Sequence, residues 1–323
     1  MIKVLVLGGT GFLGRNILEH LHSNGGYKLT ATHFTREPWE NKNFKWVQTD
    51  LTKHQDVSKV FANYGRFDIV IQAAASTSGI LDTFARPDFH VTDNAVMNAL
   101  ILREINEAKI PKFVFFSCTT MLQSSISHQS ESDFDPIRGP IEKYFGVGWT
   151  KVYIEKLCEF YSKLGNTSFT IIRHSNVYGP WDRYLPNNSH VCGATITKVL
   201  RAENSVEIWG PGTESRDLLF VDDLCELVER VCSTNHEALC LINAGGGSSV
   251  SINRLTEMII QLANKNLKLI HNMNKPHLDF SVVLDNSRAK ELFLWEPRTL
   301  LKDGLTKTID FWKKNYSLDS ISD

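Results

Sequence analysis

Short apolar runs recur along the first half of the chain, each followed by residues whose apolar positions fall three and four apart. "KVLVLG" opens the series, and "GTGFLG" leads from it into the helical pattern "RNILEHLHS". "YKLTATHF", "FKWVQTD" and "FDIVIQAAA" read as the next strands, with helical patterns over Asp56–Tyr64 and Asn94–Glu107. "KFVFFSC" and "SFTIIRHSNVYG" continue the alternation around a long helix, Val147–Leu164. Strands that are apolar along their whole length are covered on both faces, and their alternation with helices makes the sheet parallel. The pattern predicts an α/β fold built on a doubly wound parallel sheet.

After Tyr178 the alternation loosens. "GPWDRYLPNNSH" and "GPGTESRD" are rich in turn formers. Helical stretches follow at Ala194–Ala202, Asp222–Cys232 and Ile252–Asn264, with two more around the turn between "DNSRAKELFLWEP" and "LLKDGLTKTIDFWKKNY". The expected division is a first domain over residues 1–178, to which segments near 215–245 return. A smaller, mixed C-terminal lobe takes 179–214 and 246–323.

Composition narrows the class. With 323 residues, 42% hydrophobic and 22% charged, the chain is long enough for a sizeable core. A formal charge of -1 offers no basic excess for a nucleic-acid partner. The apolar runs fall short of a membrane span, and "MIKVLVLGG" reads as a first strand rather than an export signal. Cys118, Cys158, Cys192, Cys225, Cys232 and Cys240 are scattered without metal-ligand spacing. The expectation is a cytoplasmic protein without a metal, in which the glycosylation-like "NNS" at Asn187 carries little weight.

The chemistry starts at Gly8, Gly11 and Gly14, set between strand and helix. Gly8 permits a tight turn, Gly11 lets the backbone approach a pyrophosphate, and Gly14 permits close helix–sheet packing. Phosphate oxygens would meet the unpaired amides at the helix N-terminus, with Thr10, Phe12 and Leu13 in the same cradle. The end of the second strand reads "THFTR": His33 stands where an acid would select NAD, and Arg36 can engage a phosphate. NADP is modestly preferred over NAD. Asp50 and Leu51 after the third strand are candidates for the adenine end, and Ala73, Ala74 and Ala75 let the backbone pass close to the cofactor.

Taken together, "GGTGFLG", "TDL" at Thr49–Leu51, "AAA" at Ala73–Ala75, Asn94, "FFSCTT", Lys151, "RHSNVYGP" and "RDLLFVDDL" resemble the extended short-chain dehydrogenase/reductase family of nucleotide-sugar epimerases, dehydratases and reductases. The likeness spans nearly the whole chain. "RHSNVYGPWDRYLPNNSHV" is most similar to the GDP-fucose synthase branch. It implies a Rossmann-like cofactor domain, a substrate-binding C-terminal lobe and hydride exchange between a nicotinamide and a sugar carbon, usually C4. In that family a Ser or Thr and a Tyr bond the sugar oxygen. The Lys bonds the nicotinamide ribose and stabilises the phenolate.

Lys151 matches the lysine, but Val147 occupies the tyrosine position. Cys118 falls at the serine position, flanked by Ser117 and Thr119, and Thr120 aligns with the branch's reactive cysteine. His190 matches the histidine of the branch's cysteine–histidine pair. Three readings are open. Tyr144 reaches the sugar from the helix start, or His190, Cys118 or water carries the proton, or hydride chemistry is lost and a nucleotide-sugar-binding protein remains. On the substrate side, Asn176 and Arg216 suit a diphosphate, with Arg183 and Arg173 as weaker candidates; Asp222 and Asp223 read as helix caps.

The leading expectation is an NAD(P)-dependent oxidoreductase acting at C4 of a nucleotide-linked sugar, preferably GDP-linked, as a 4-dehydrogenase or 4-keto reductase. A 4-epimerase is the runner-up. "CTTMLQ" lacks the carboxylate that a 4,6-dehydratase wants. The resemblance also implies a homodimer built on a four-helix interface, with Tyr153, Leu157, Phe160 and Tyr161 as its patch.

Overall fold

The apolar runs assemble into one parallel sheet whose strand ends meet along a shared edge. The computed structural model describes residues 1–77, 85–185 and 189–316; Asn187 lies outside them. The first strands are β1 (Ile2–Leu7), β2 (Tyr27–His33), β3 (Lys45–Gln48), β4 (Ile69–Gln72) and β5 (Lys112–Cys118). They are followed by β6 (His128–Gln129), β7 (Ser168–His174), β8 (Asn176–Tyr178), β9 (Ser205–Trp209) and β10 (Ser215–Phe220). The last are β11 (Leu239–Ala244), β12 (Ser249–Ser251), β13 (Lys268–Asn272) and β14 (Val283–Leu284). The helices used below are α1 (Phe12–Asn24), α2 (His54–Asn63), α3 (Thr92–Glu107), α4 (Phe145–Ser162) and α5 (Val191–Arg201). They continue with α6 (Val221–Ser233), α7 (Ile252–Leu262), α8 (Ser287–Phe293) and α9 (Leu301–Asn315).

The seven-stranded sheet has the order β11-β7-β5-β4-β1-β2-β3. Every pairing in it is parallel. Side chains alternate between two cores, which is why the strands look continuously apolar. Val4 and Val6 join one core with α1 and α6, whereas Leu5 and Leu7 join the other with α2, α3 and α4. The strand order reverses at β1, leaving a crevice between the ends of β1 and β4, where ligands settle in such sheets.

One strand of the sequence reading is two strands in the structure. "SFTIIRHSNVYG" divides at Ser175: β7 stays in the main sheet, and β8 pairs with β10 in a three-stranded sheet of order β12-β10-β8. A third core, formed by Tyr184, Ile196, Leu255, Leu305 and Trp312 among others, holds α5, α7 and α9 together. Asp217, fully buried on β10, accepts the amides of Gly246 at 2.6 Å and Leu284 at 3.0 Å. Among the described residues no helix is long and apolar enough to cross a membrane.

Two local expectations are corrected. Asp222 and Asp223 lie in the first turn of α6, whose N-cap is Phe220. Asp223 instead accepts the amides of Arg298 at 3.3 Å and Thr299 at 3.1 Å, tying down the turn before α9. Arg173 does not face a phosphate site; it makes a two-pronged pair with Glu155 at 2.9 and 2.7 Å and also donates to Glu131 O. Both side chains are nearly inaccessible, so neither charge has water as an alternative partner.

Breaking one half of this pair should therefore be costly. Glu155→Gln should lower stability by about 3–5 kcal/mol in urea unfolding, with Arg173→Met/Glu155→Leu recovering much of the loss. A Glu155→Gln variant with an unchanged midpoint would show that the pair is not a structural anchor.

Candidate active site

A cavity of about 1020 Å³ runs across the ends of the parallel strands, from the glycine turn to the second lobe. At its first end, Gly8 has φ 78°, and a Cβ there would lie 2.6 Å from Ala74 Cα. A Cβ on Gly14 would lie 2.2 Å from Gly8 O, so both positions exclude any side chain. Gly11 caps α1 without any side-chain cap, and the first turn carries no acid. The positive end of that helix is left to whatever enters the cavity, which Thr10, Gly11, Phe12 and Leu13 line. Gly14 stands behind the turn.

The walls of this half are held by side chains. Ala73 N–H donates to Leu7 O at 3.0 Å and Ala74 N–H to Gln72 Oε1 at 3.2 Å. Asn94 grips the backbone of Ser76 twice, accepting its N–H at 3.0 Å and donating to its carbonyl at 2.8 Å. Ala75, His33, Arg36, Asp50 and Leu51 also line the cavity. Arg36 donates to Thr10 O at 2.9 Å, which folds its guanidinium back over the glycine turn. Asp50 accepts from the Thr52 hydroxyl at 2.6 Å and faces Lys53 at 3.1 Å.

In the middle, Lys151 Nζ donates to Phe116 O at 2.9 Å and lies 4.9 Å from the Phe115 ring centre. Val147, one turn earlier on α4, lines the same space and offers only methyl groups. Helix α4 starts earlier than its sequence pattern suggested, at Phe145, because its two glycines admit close neighbours. A Cβ on Gly146 would lie 2.8 Å from Val91, and one on Gly148 would lie 2.5 Å from Pro140. Tyr144 is the N-cap residue, and its ring meets Phe280 edge-on at 5.5 Å. Its hydroxyl has no hydrogen-bond partner among the described residues. Burial pushes the Tyr144 phenol up, against the pull of Arg216 and with the push of Cys118, so near neutrality it is a donor and not a phenolate.

Cys118 ends β5 with Sγ 3.1 Å from Thr120 Oγ1, and Thr119 follows it buried in a 3-10 turn. His190, the N-cap residue of α5, lines the same cavity. Its side chain is open to the cavity, yet crowding by the surrounding chain pushes its pKa down, and Arg183 and His90 push the same way. Sequence reasoning passed over His174, which also lines the cavity and is the last residue of β7. Its signal lay in "RHSNVYGP": a titratable ring at the C-terminal end of a core strand.

On the substrate side, Asn176 Nδ2 donates to Asp217 O at 3.2 Å. Arg216 donates to Ser215 O at 3.0 Å, to Leu278 O at 3.3 Å and to Phe280 O, pinning the segment that closes the cavity. It does not pair with Asp222, which lies 3.7 Å from Lys307. Arg183 bonds Thr77 O at 2.7 Å across the cavity mouth. Lys198 and Trp209 were missed as well: Lys198 Nζ lies 4.3 Å from the indole centre, and Trp209 Nε1 donates to Glu207 at 2.8 Å. Only the folded chain brings these two elements together. Among the described residues no three His, Cys, Asp or Glu side chains form a metal-binding group.

The arrangement offers an anion cradle at one end, cationic and aromatic groups at the other, and titratable groups between them. Residues 4–245 match the model of the NAD dependent epimerase/dehydratase family. A probable GDP-L-fucose synthase of Oryza sativa subsp. japonica is 28% identical over 97% of this chain and 92% of its own. A UDP-glucuronate 4-epimerase of Thermodesulfobacterium geofontis is 28% identical over 97% of both chains. The solved UDP-glucuronic acid 4-epimerase of Bacillus cereus, in complex with UDP-glucuronic acid and NAD, matches with TM-score 0.84. It is 26% identical over 98% of this chain and 100% of that one. The UDP-glucose 4-epimerase of Thermotoga maritima, at TM-score 0.85 and 23% identity over 97% of this chain and 99% of that one, shares the fold. The chain belongs to the NAD dependent epimerase/dehydratase family, within the extended short-chain dehydrogenases.

Proposed function

We propose that the protein is an NAD(P)-dependent oxidoreductase that moves hydride at C4 of a nucleotide-linked sugar, as a 4-dehydrogenase or 4-keto reductase, with a GDP-sugar preferred. The carrying observation is the continuity of one cavity from the glycine turn, past Lys151, to Arg216 and Trp209. When bound, the nicotinamide supplies the hydride chemistry. The amides of residues 10–13 hold its pyrophosphate, Asp50 and Leu51 meet the adenine end, and Lys151 bonds the nicotinamide ribose. Arg216 and Lys198 neutralise the substrate diphosphate, and the Trp209 indole stacks on its base. Tyr144, Thr119 and Cys118 donate to the sugar oxygens, and His190 and Asn176 orient the ring from the other wall. Arg183 closes the mouth.

A 4-epimerase is the second reading, supported by likeness to a UDP-glucuronate 4-epimerase along the full length of both chains. The intact lysine and glycine turn argue against a protein that only binds nucleotide sugars. Arg36 beside Thr10 supports a preference for NADP, whose extra phosphate would take the guanidinium from the carbonyl. Helices α3 and α4 pack together and expose Val96, Tyr153 and Phe160, while Leu157 and Tyr161 turn partly into the core. That face supports a homodimer.

Anaerobic mixing of cofactor-loaded protein with GDP-, UDP-, CDP- and dTDP-sugars and their 4-keto forms should change nicotinamide absorbance in step with the sugar. Binding without any cofactor change across the panel would refute the oxidoreductase. Arg216→Ala should weaken nucleotide-sugar binding about tenfold or more in calorimetry while leaving cofactor affinity in place. Arg36→Ala should weaken NADP(H) by a similar factor and spare NAD(H); equal loss of both would remove Arg36 as a selector. Sedimentation should give a dimer that Tyr153→Glu/Phe160→Glu converts to monomer, and a wild-type monomer would contradict the shared helix face.

A further inference from the structure

Oxidation at C4 requires a group that takes the proton of the C4 hydroxyl as hydride leaves. Val147 cannot take it, and Tyr144 is held as a phenol. His174 sits at the end of β7, opposite Cys118 on β5 and Ala244 on β11. Its ring lies 6.2 Å from that of Phe116, the residue whose carbonyl receives Lys151. The ring therefore stands beside the stretch of β5 that Lys151 reaches from α4, and it lines the same cavity.

Hydrogen bonding settles its tautomer. Nδ1 lies 2.7 Å from Ser175 O. A carbonyl only accepts, so Nδ1 carries the hydrogen and Nε2 keeps a lone pair. Nε2 has no partner among the described residues. We infer that His174 is the proton acceptor of this site, doing from β7 the work of the phenol that Val147 removes. The inference rests on the hydride-transfer reading above.

The step balances. With an oxidised nicotinamide bound, C4 would give up hydride with its electron pair to it, the C4 hydroxyl proton would pass to Nε2, and the C–O bond would become a carbonyl. The imidazolium then returns its proton to water. The groups facing the ring are Lys151 from α4, His190 from the start of α5 and Cys118 from β5; its β11 neighbour, Ala244, is uncharged. Burial first, then the neighbouring Lys151 ammonium and His190 ring, press its pKa down to about 4 against the Ser175 bond, so the base form is complete at neutral pH. His190 stands on the other lobe, and no side-chain hydrogen bond fixes its tautomer among the described residues.

Two measurements test this. Proton–nitrogen NMR of the whole protein with heavy-nitrogen histidine, assigned with His174→Asn, should show the Nδ1–H tautomer. It should stay neutral down to about pH 5, given a pKa of about 4. The Asn variant keeps a donor for Ser175 O and loses only Nε2. With a sugar that the wild type oxidises, it should lower the single-turnover rate about a hundredfold or more, with substrate and cofactor dissociation constants nearly unchanged. The wild-type rate should be level from about pH 6 to 9, because a base with a depressed pKa is already free there. An Nε2–H tautomer, a loss in the Asn variant of under about threefold, or a rate climbing toward the phenol range would overturn His174 and favour Tyr144. Should no sugar reduce the wild-type cofactor, the hydride-transfer reading falls and this role with it. Turnover that survives in His174→Asn removes His174 alone.

Discussion

A single residue, Ser175, joins two sheets, and the geometry of the cavity depends on it. β7 ends at His174 and β8 begins at Asn176, so the two walls are separated by one extended residue, a rise of about 3.3 Å. Ser175 is itself buried, with its amide bonded to Ala244 O at 2.9 Å in the main sheet. Asn176 and β8 are bonded in turn to β10, where Asp217 anchors Gly246 and Leu284. Burial pushes the Asp217 carboxyl up to about 6, although two amides and Ser175 pull it down. The second lobe is thus attached to the first through a buried, hydrogen-bonded junction.

From that junction the division of labour follows. Two apolar cores, drawing on alternate residues of the same strands, fix the strand ends in space, and the cavity opens at their C-terminal edge. There, the glycine turn keeps its space clear of side chains, and Lys151 is held by a main-chain carbonyl that no substitution of a single side chain removes. The site departs from its family's pattern at Val147, where the phenol is missing, and at Cys118, and from the GDP-fucose synthase branch at Thr120. On the proposed reading the neighbours of Val147 divide the abilities that one phenol combines: Tyr144 donates, and the neutral imidazole of His174 accepts.

Elements whose cause is local were legible in the sequence. The glycine turn, the apolar strands, the long helices and Lys151 each carry their signal within a few residues. The break at Ser175 was not, because "RHSNVYG" has no Gly or Pro before Gly179 and reads as uninterrupted strand. Arg173 looked like a phosphate ligand because its partner, Glu155, lies on a helix whose facing is set by tertiary packing. Trp209 and Lys198 were silent for the same reason: β9 and α5 meet only in the folded lobe. His174 was hidden inside a motif read for its asparagine and tyrosine. The early start of α4 depended on Val91 and Pro140, neither of which the local pattern reveals.

The central claim is that hydride passes directly between the sugar and the nicotinamide in a protein with valine at position 147. The most direct measurement is isotope transfer: a nucleotide sugar bearing deuterium at C4 is mixed anaerobically with the NAD(P)-loaded protein, and the released cofactor is weighed by mass spectrometry. The account predicts reduced cofactor heavier by one mass unit, formed in step with the 4-keto sugar. Reduced cofactor without the label, or an unchanged cofactor beside bound sugar, would contradict it.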